Sequence, residues 1–149
     1  MEFFRHENLW LYLPLILWIC GIFYLSSNKG SVSNTSLYLS PLFKILFPET
    51  ALAHLKDYHL YFRKICHFLG YAILALLSWL AFSGSSVGFL TEFWPVLSFL
   101  IVLLTASADE IKQSFYASRI GSVADVVLDC AGGLTMITLL WAVPKLFAK

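Results

Sequence analysis

Residues 123–143 read VADVVLDCAGGLTMITLLWAV, and the class of the fold turns on this stretch. At 1.5 Å per residue a helix of this length reaches about 30 Å, the thickness of a bilayer's hydrocarbon core. No proline interrupts it, yet two acids, Asp125 and Asp129, lie inside it. Three further apolar runs precede it: residues 9–25 (LWLYLPLILWICGIFYL), 64–82 (KICHFLGYAILALLSWLAF) and 89–108 (FLTEFWPVLSFLIVLLTASA). The expected architecture is all-α: a polytopic membrane protein with a four-transmembrane-helix bundle, forming a single domain over residues 1–149.

Two of these spans need comment. In the third, the uninterrupted apolar part is residues 93–106, too short to cross a core of about 30 Å. That helix must therefore extend, and forward extension carries Asp109 toward the membrane. The first run is followed by YLSSNKG, without a small-residue cleavage pattern, so it reads as a retained helix with Pro14 near its start.

Composition agrees. The chain is 59% hydrophobic and 13% charged, with a mean hydropathy of +0.77. A soluble domain carries about 25% charged residues. The net charge is +1 and the Lys/Arg residues are scattered, which excludes a nucleic-acid footprint. Cys20, Cys66 and Cys130 form no motif and read as three buried small hydrophobes. His6, His54 and His59 have no metal-ligand spacing and read as loop or interfacial residues, so neither a metal nor a cofactor is expected.

Residues 26–62 form the longest connection. Pro41 and Pro48 argue against a spanning helix there, and Leu42, Phe43, Ile45, Leu46 and Phe47 around Lys44 point to an interfacial or re-entrant segment between helices 1 and 2. Four spans place both termini on one side. Counting basic residues favours the first and third connections in the cytoplasm, though setting Lys64 and Arg119 aside nearly removes that bias.

The charged residues within or beside the spans are the candidates for function. Asp125 and Asp129 are four apart and share a helix face, which Gly132 continues. Carboxylates at that depth normally face the bundle interior. Lys64, His67 and Tyr71 form a second stripe, at offsets of three and seven. The connection DEIKQSFYASRIGS concentrates Asp109, Glu110, Gln113 and Arg119, and if helical it puts both acids within one turn of Gln113. The start of span two, the end of span three and the start of span four lie on one membrane side, so these groups can meet.

The stretch DEIKQSFYASRIGSVADVVLDCAGG resembles the signature of the VanZ-like membrane proteins. That pattern is Asp-Glu, a Gln three positions after the Glu, an Arg, an Asp six residues beyond it, an Asn four later and a Gly. Asp109, Glu110, Gln113, Arg119, Asp125 and Gly132 match it. KICHFLGY matches the family's Lys-x-x-His-Phe-x-x-Tyr element at Lys64, His67, Phe68 and Tyr71, and SSN is similar to its Ser-Ser-Gln ending after the first span. One position departs: the usual Asn is Asp129, an acid in place of an amide. The resemblance covers roughly residues 10–143. It implies a four-helix bacterial cell-membrane protein from a family whose named member is associated with low-level teicoplanin resistance.

The functional expectation is a polar site that binds or processes an anionic, phosphate-bearing envelope lipid. His67, Asp109, Glu110 and Asp125 are its candidate catalytic residues; Lys64, Tyr71, Gln113, Arg119 and Asp129 are its candidate binding residues. A weaker likeness supports phosphate: SRIGSVADVVLD has the spacing of a lipid-phosphatase motif, with Asp125 where its histidine would stand. Two alternatives stay open. One is a non-catalytic envelope or resistance accessory protein acting through lipids, a protein partner or its own oligomer. The other is a small proton-coupled transporter.

Overall fold

The computed structural model describes residues 9–27, 32–46, 48, 52–116 and 121–147. Among them six helices follow one another: α1 (Leu9–Leu25), α2 (Val32–Leu46), α3 (Leu52–Ser83), α4 (Gly88–Glu92), α5 (Trp94–Ser114) and α6 (Val123–Phe147). No strand interrupts the described residues. Three segments are long and apolar enough to cross a membrane, Asp57–Ser83, Trp94–Ser114 and Val123–Val143, and Trp10–Leu25 is a shorter apolar helix. The chain is an all-α polytopic membrane protein.

Several boundaries differ from the sequence reading. The helix that carries the second span starts well before Lys64, at Leu52, and has 32 residues. That helix is about 48 Å long, well over a hydrocarbon core. Residues 52–63 contain neither Pro nor Gly, so nothing stops the helix from growing backward from the apolar segment. The third span does not begin at Phe89. The chain breaks at Phe93 (φ −97°, ψ 16°), because Pro95 has no N–H for the carbonyl four residues back and fits only the first turn of a new helix. The expected forward extension does occur, and α5 runs through Asp109, Glu110 and Gln113 to Ser114. The fourth helix continues past Val143, through Pro144 to Phe147. Pro14 and Pro41 also lie inside helices, α1 and α2 respectively.

The centre of the molecule is α3 against α6, with α5 filling the groove between them. Tyr71, Leu74, Ala75, Ala81, Val102, Ala106 and Ile137 form the core, with Leu15 of α1 joining it. Three of these eight are alanines, and Ala72, Ser78, Ser98 and Thr105 are buried as well. Lipid tails are as apolar as the core, so burial of apolar area alone does not hold the helices together. Helices then associate through close contact, which small residues allow. Gly132 is the closest point: a Cβ there would collide with the Phe68 carbonyl oxygen of α3.

Two polar bonds tie α1 to this core. Trp18 Nε1 donates to the Gly70 carbonyl at 2.9 Å. Lys112 Nζ donates to the carbonyl of Phe23 and also stands 5.5 Å from that residue's ring centroid. The second bond caps a carbonyl that the end of α1 leaves without an intrahelical partner. The cysteines are free, and the expectation that all are buried is wrong: Cys20 and Cys66 are exposed and Cys130 is half-buried. A weakly polar thiol on an outward helix face loses nothing when that face meets lipid.

Candidate functional site

The polar site lies where α3, α5 and α6 meet, at the end of the bundle that holds the α5–α6 connection. α3 supplies Arg63, His67 and Tyr71, spaced four residues apart and therefore on one face. α5 supplies Asp109, Glu110 and Gln113; α6 supplies Asp129. Tyr71, Asp109, Gln113 and Asp129 are each at most 1% exposed.

Gln113 is the hub. Its Nε2 donates to Asp109 Oδ2 at 2.9 Å and to Glu110 Oε1 at 3.1 Å. Its Oε1 accepts from Arg63 Nη2 at 3.3 Å. The amide's orientation follows from chemistry, since carboxylates only accept and guanidinium only donates. The second oxygen of Glu110 accepts the Ser122 backbone N–H at 2.9 Å. Ser122 also caps α6, its Oγ accepting the Ala124 N–H at 3.2 Å. Gly121 lies so close to the Glu110 carbonyl that a side chain would not fit. One acid thus holds the connection down onto α5 while a second acid shares its amide donor.

Across from this network, His67 Nδ1 stands 3.3 Å from Asp129 Oδ1. The distance suits an ion pair, but the alignment misses a hydrogen bond. Both Asp129 oxygens, Asp109 Oδ1 and the Tyr71 hydroxyl are buried without a hydrogen-bond partner among the described residues. The charges of Asp109, Asp129 and Glu110 all act on the Tyr71 hydroxyl. Among the described residues, three buried carboxyl groups therefore face one permanent cation, Arg63, and one base, His67. Such a cluster is costly in a dry bundle unless its members are matched by protons or hydrogen bonds.

His67, Arg63 and Tyr71 also line a groove of about 510 Å³ between α1, α2 and α3. Its walls are apolar, formed by Trp18, Ile22, Leu25, Leu39, Phe62 and Ile73 among others. His59 and Thr35 stand in the same wall and are bonded to each other at 2.8 Å. His59 is only 3% exposed and lies within α3, so it is not a loop residue.

The structure thus brings together six of the candidates: His67, Tyr71, Asp109, Glu110, Gln113 and Asp129. Asp125 is half-buried in the first turn of α6, where a carboxylate complements the helix dipole, and its charge also reaches Glu110. Lys64 is exposed and is not part of the groove wall. Arg119 lies outside the described residues. The residue that sequence reasoning passed over is Arg63. Its signal was its spacing: it precedes His67 by four, whereas Lys64 precedes it by three and falls on the other flank of the same helix.

No curated protein and no solved structure matches the chain. A family model does, and it spans residues 9–146, from the start of α1 to one residue short of the end of α6, with every group of the site inside it. Together with the three long apolar helices, that match over nearly the whole length places the chain in the VanZ/LLP1 family, a multi-pass protein of the bacterial cell membrane.

Proposed function

We propose that the groove receives an envelope lipid with an anionic, phosphate-bearing headgroup, and that the cluster behind it handles that headgroup. The observation that carries this reading is the juxtaposition of Arg63 and His67 with a mostly apolar groove of about 510 Å³. An amphiphile needs such a site: apolar walls for a chain, and a cation at one end for the phosphate. Pockets of a few hundred Å³ with a few convergent polar groups are typical of small-molecule sites. Guanidinium offers a fork that matches two phosphate oxygens. In this reading Arg119 is the second cation, and Lys64 is left aside because it lies off the groove. His67 exchanges protons with the headgroup or with water, and Asp109, Glu110, Asp125 and Asp129 supply the carboxylates that balance the charge. In this reading the whole chain, residues 1–149, is one domain.

Lipid binding tests the reading directly. Purified protein in detergent is titrated with phosphatidylglycerol and with phosphatidylcholine of the same acyl chains, and binding is followed by native mass spectrometry. Phosphatidylglycerol should bind more tightly. Arg63→Ala should weaken that lipid about tenfold, about 1.4 kcal/mol, and Arg63→Lys should fall between the two. Equal binding of both lipids, or no change in Arg63→Ala, rejects the anionic-headgroup reading.

The same proposal includes four spans, with α1 crossing and α2 lying across the bundle at the membrane surface. Three contacts support it. Thr35 of α2 is bonded to His59 of α3 and the Phe43 ring meets the Phe62 ring, so these two contacts lie eight residues, about 12 Å, apart on α2 but three residues apart on α3. A helix running alongside α3 would contact equal lengths of both. The Lys112–Phe23 bond puts the C-terminal ends of α1 and α5 at one end of the bundle. In a cysteine-free background, cysteines at Ser27 and Ser114 should therefore label from one membrane side and a cysteine at Ser86 from the other. Labelling of positions 27 and 86 from the same side with an impermeant reagent sinks the four-span arrangement.

A further inference from the structure

We infer that Asp129 holds a proton on Nδ1 of His67, so that Nε2 is the one ring nitrogen that gains and loses a proton, and that it does so facing the groove. This deepens the headgroup reading and rests on it for the meaning of the groove, but not for the state of the ring.

The argument begins with Asp129. It is fully buried on α6, and neither of its oxygens has a hydrogen-bond partner among the described residues. A buried carboxylate with no donor is strongly unfavourable. A group able to donate lies in ion-pair range of it, the His67 ring, whose Nδ1 is 3.3 Å from Oδ1. Because the distance already suits a bond and only the alignment is off, a rotation without any translation would complete it. A proton on Nδ1 satisfies the carboxylate. A lone pair on Nδ1 would set two acceptors against each other.

The other edge of the ring then follows. Asp129 is not in the groove wall, whereas His67 is. With Nδ1 turned to the carboxylate, the free edge of the imidazole carries Nε2. Neutral His67 then presents an acceptor at the groove, able to take a proton from a headgroup hydroxyl or a water. Protonated His67 presents a donor there, suited to a phosphate oxygen. Asp129 is thus a positioning residue rather than one that touches the ligand. The remaining charged or titratable groups around the ring do not compete for Nδ1. Arg63 is bonded to Gln113, and Asp109 and Glu110 share the Gln113 amide. Lys64 is exposed, and the Tyr71 hydroxyl faces the carboxylates of α5 and α6. The departure from the family's usual Asn gains a meaning, because Asp129 in its ionised form can only accept and so dictates one tautomer, whereas an amide permits either.

Nitrogen-15 NMR of histidine-labelled protein in lipid nanodiscs reads the tautomer directly. His67 is assigned by its loss in His67→Gln, and spectra are taken across a pH titration in phosphatidylcholine and in mixed phosphatidylcholine–phosphatidylglycerol discs. In the wild type Nδ1 should stay protonated throughout, while Nε2 alone changes from protonated to unprotonated as pH rises. Asp129→Leu, close in volume, should lose this and shift the neutral ring to a proton on Nε2. A wild-type ring with unprotonated Nδ1 at high pH overturns the inference, whether or not the leucine variant folds. An unchanged tautomer in a folded Asp129→Leu overturns it as well. Protonated Nδ1 with no response of Nε2 to phosphatidylglycerol upholds the role of Asp129 and counts only against the headgroup reading.

Discussion

Gly132→Ala is expected to cost on the order of 3 kcal/mol of stability and to lower the melting temperature by roughly 10 °C. A methyl group at this position overlaps the carbonyl oxygen of Phe68 and lies 2.9 Å from its carbonyl carbon and 3.1 Å from its Cα. Those atoms are backbone in the middle of a 32-residue helix, and no rotamer change relieves the clash. The only escape is to push α3 away from α6, which opens the most extensive helix contact in the molecule and separates His67 from Asp129. Neighbouring glycines provide the controls. At Gly133 the atoms nearest a Cβ are Val102 side-chain carbons, at 2.7, 2.9 and 3.2 Å. Gly133→Ala should therefore be destabilising alone and be partly rescued by Val102→Ala, a coupling that a double-mutant cycle measures. Gly70 meets nothing within 4 Å, and Gly70→Ala should be neutral or slightly stabilising. Melting curves in one detergent decide the matter. If Gly132→Ala melts with the wild type, the α3–α6 approach is wrong, and the site built on it is wrong too.

The second large effect belongs to Gln113. Gln113→Glu keeps size and shape but exchanges two amide donors for a carboxylate. Asp109 and Glu110 then lose the donor they share, and a third acid enters the same turn of α5. The new carboxylate still faces Arg63, which limits the damage without removing it. A buried charge stripped of its partner is worth about 3 kcal/mol or more, and here two acids are affected together. We expect Gln113→Glu to fold poorly at neutral pH, with a sharp fall in monodisperse protein on size-exclusion chromatography. Gln113→Leu should be less harmful than Gln113→Glu, because it removes the donors without adding repulsion. The reverse order would show that Gln113 fills space and does not organise the acids.

These two residues also mark how much was legible without coordinates. The relation of Gln113 to Asp109 and Glu110 follows from helical spacing alone, since residues three and four apart are neighbours on any helix. The forward extension of α5 followed from length, because fourteen apolar residues cannot span a core of about 30 Å. The membrane class followed from composition and run length. All of these are local or additive properties, which a chain carries whatever its partners are.

What the tertiary structure decided are relations between helices, whose rotation about their own axes no single segment records. Arg63 and Lys64 are adjacent in sequence and alike in charge. Only the packing of α3 on α5 selects Arg63, by turning it to Gln113 and leaving its neighbour exposed. Asp129 looked like the partner of Asp125 along one helix. The close approach at Gly132 instead brings it to His67 on another. The groove depends on how α2 crosses α3, and the weakly apolar sequence of α2 contains no pattern that states the angle. Helix periodicity determines which residues can share a face. The contact surfaces of the neighbouring helices determine which way that face points.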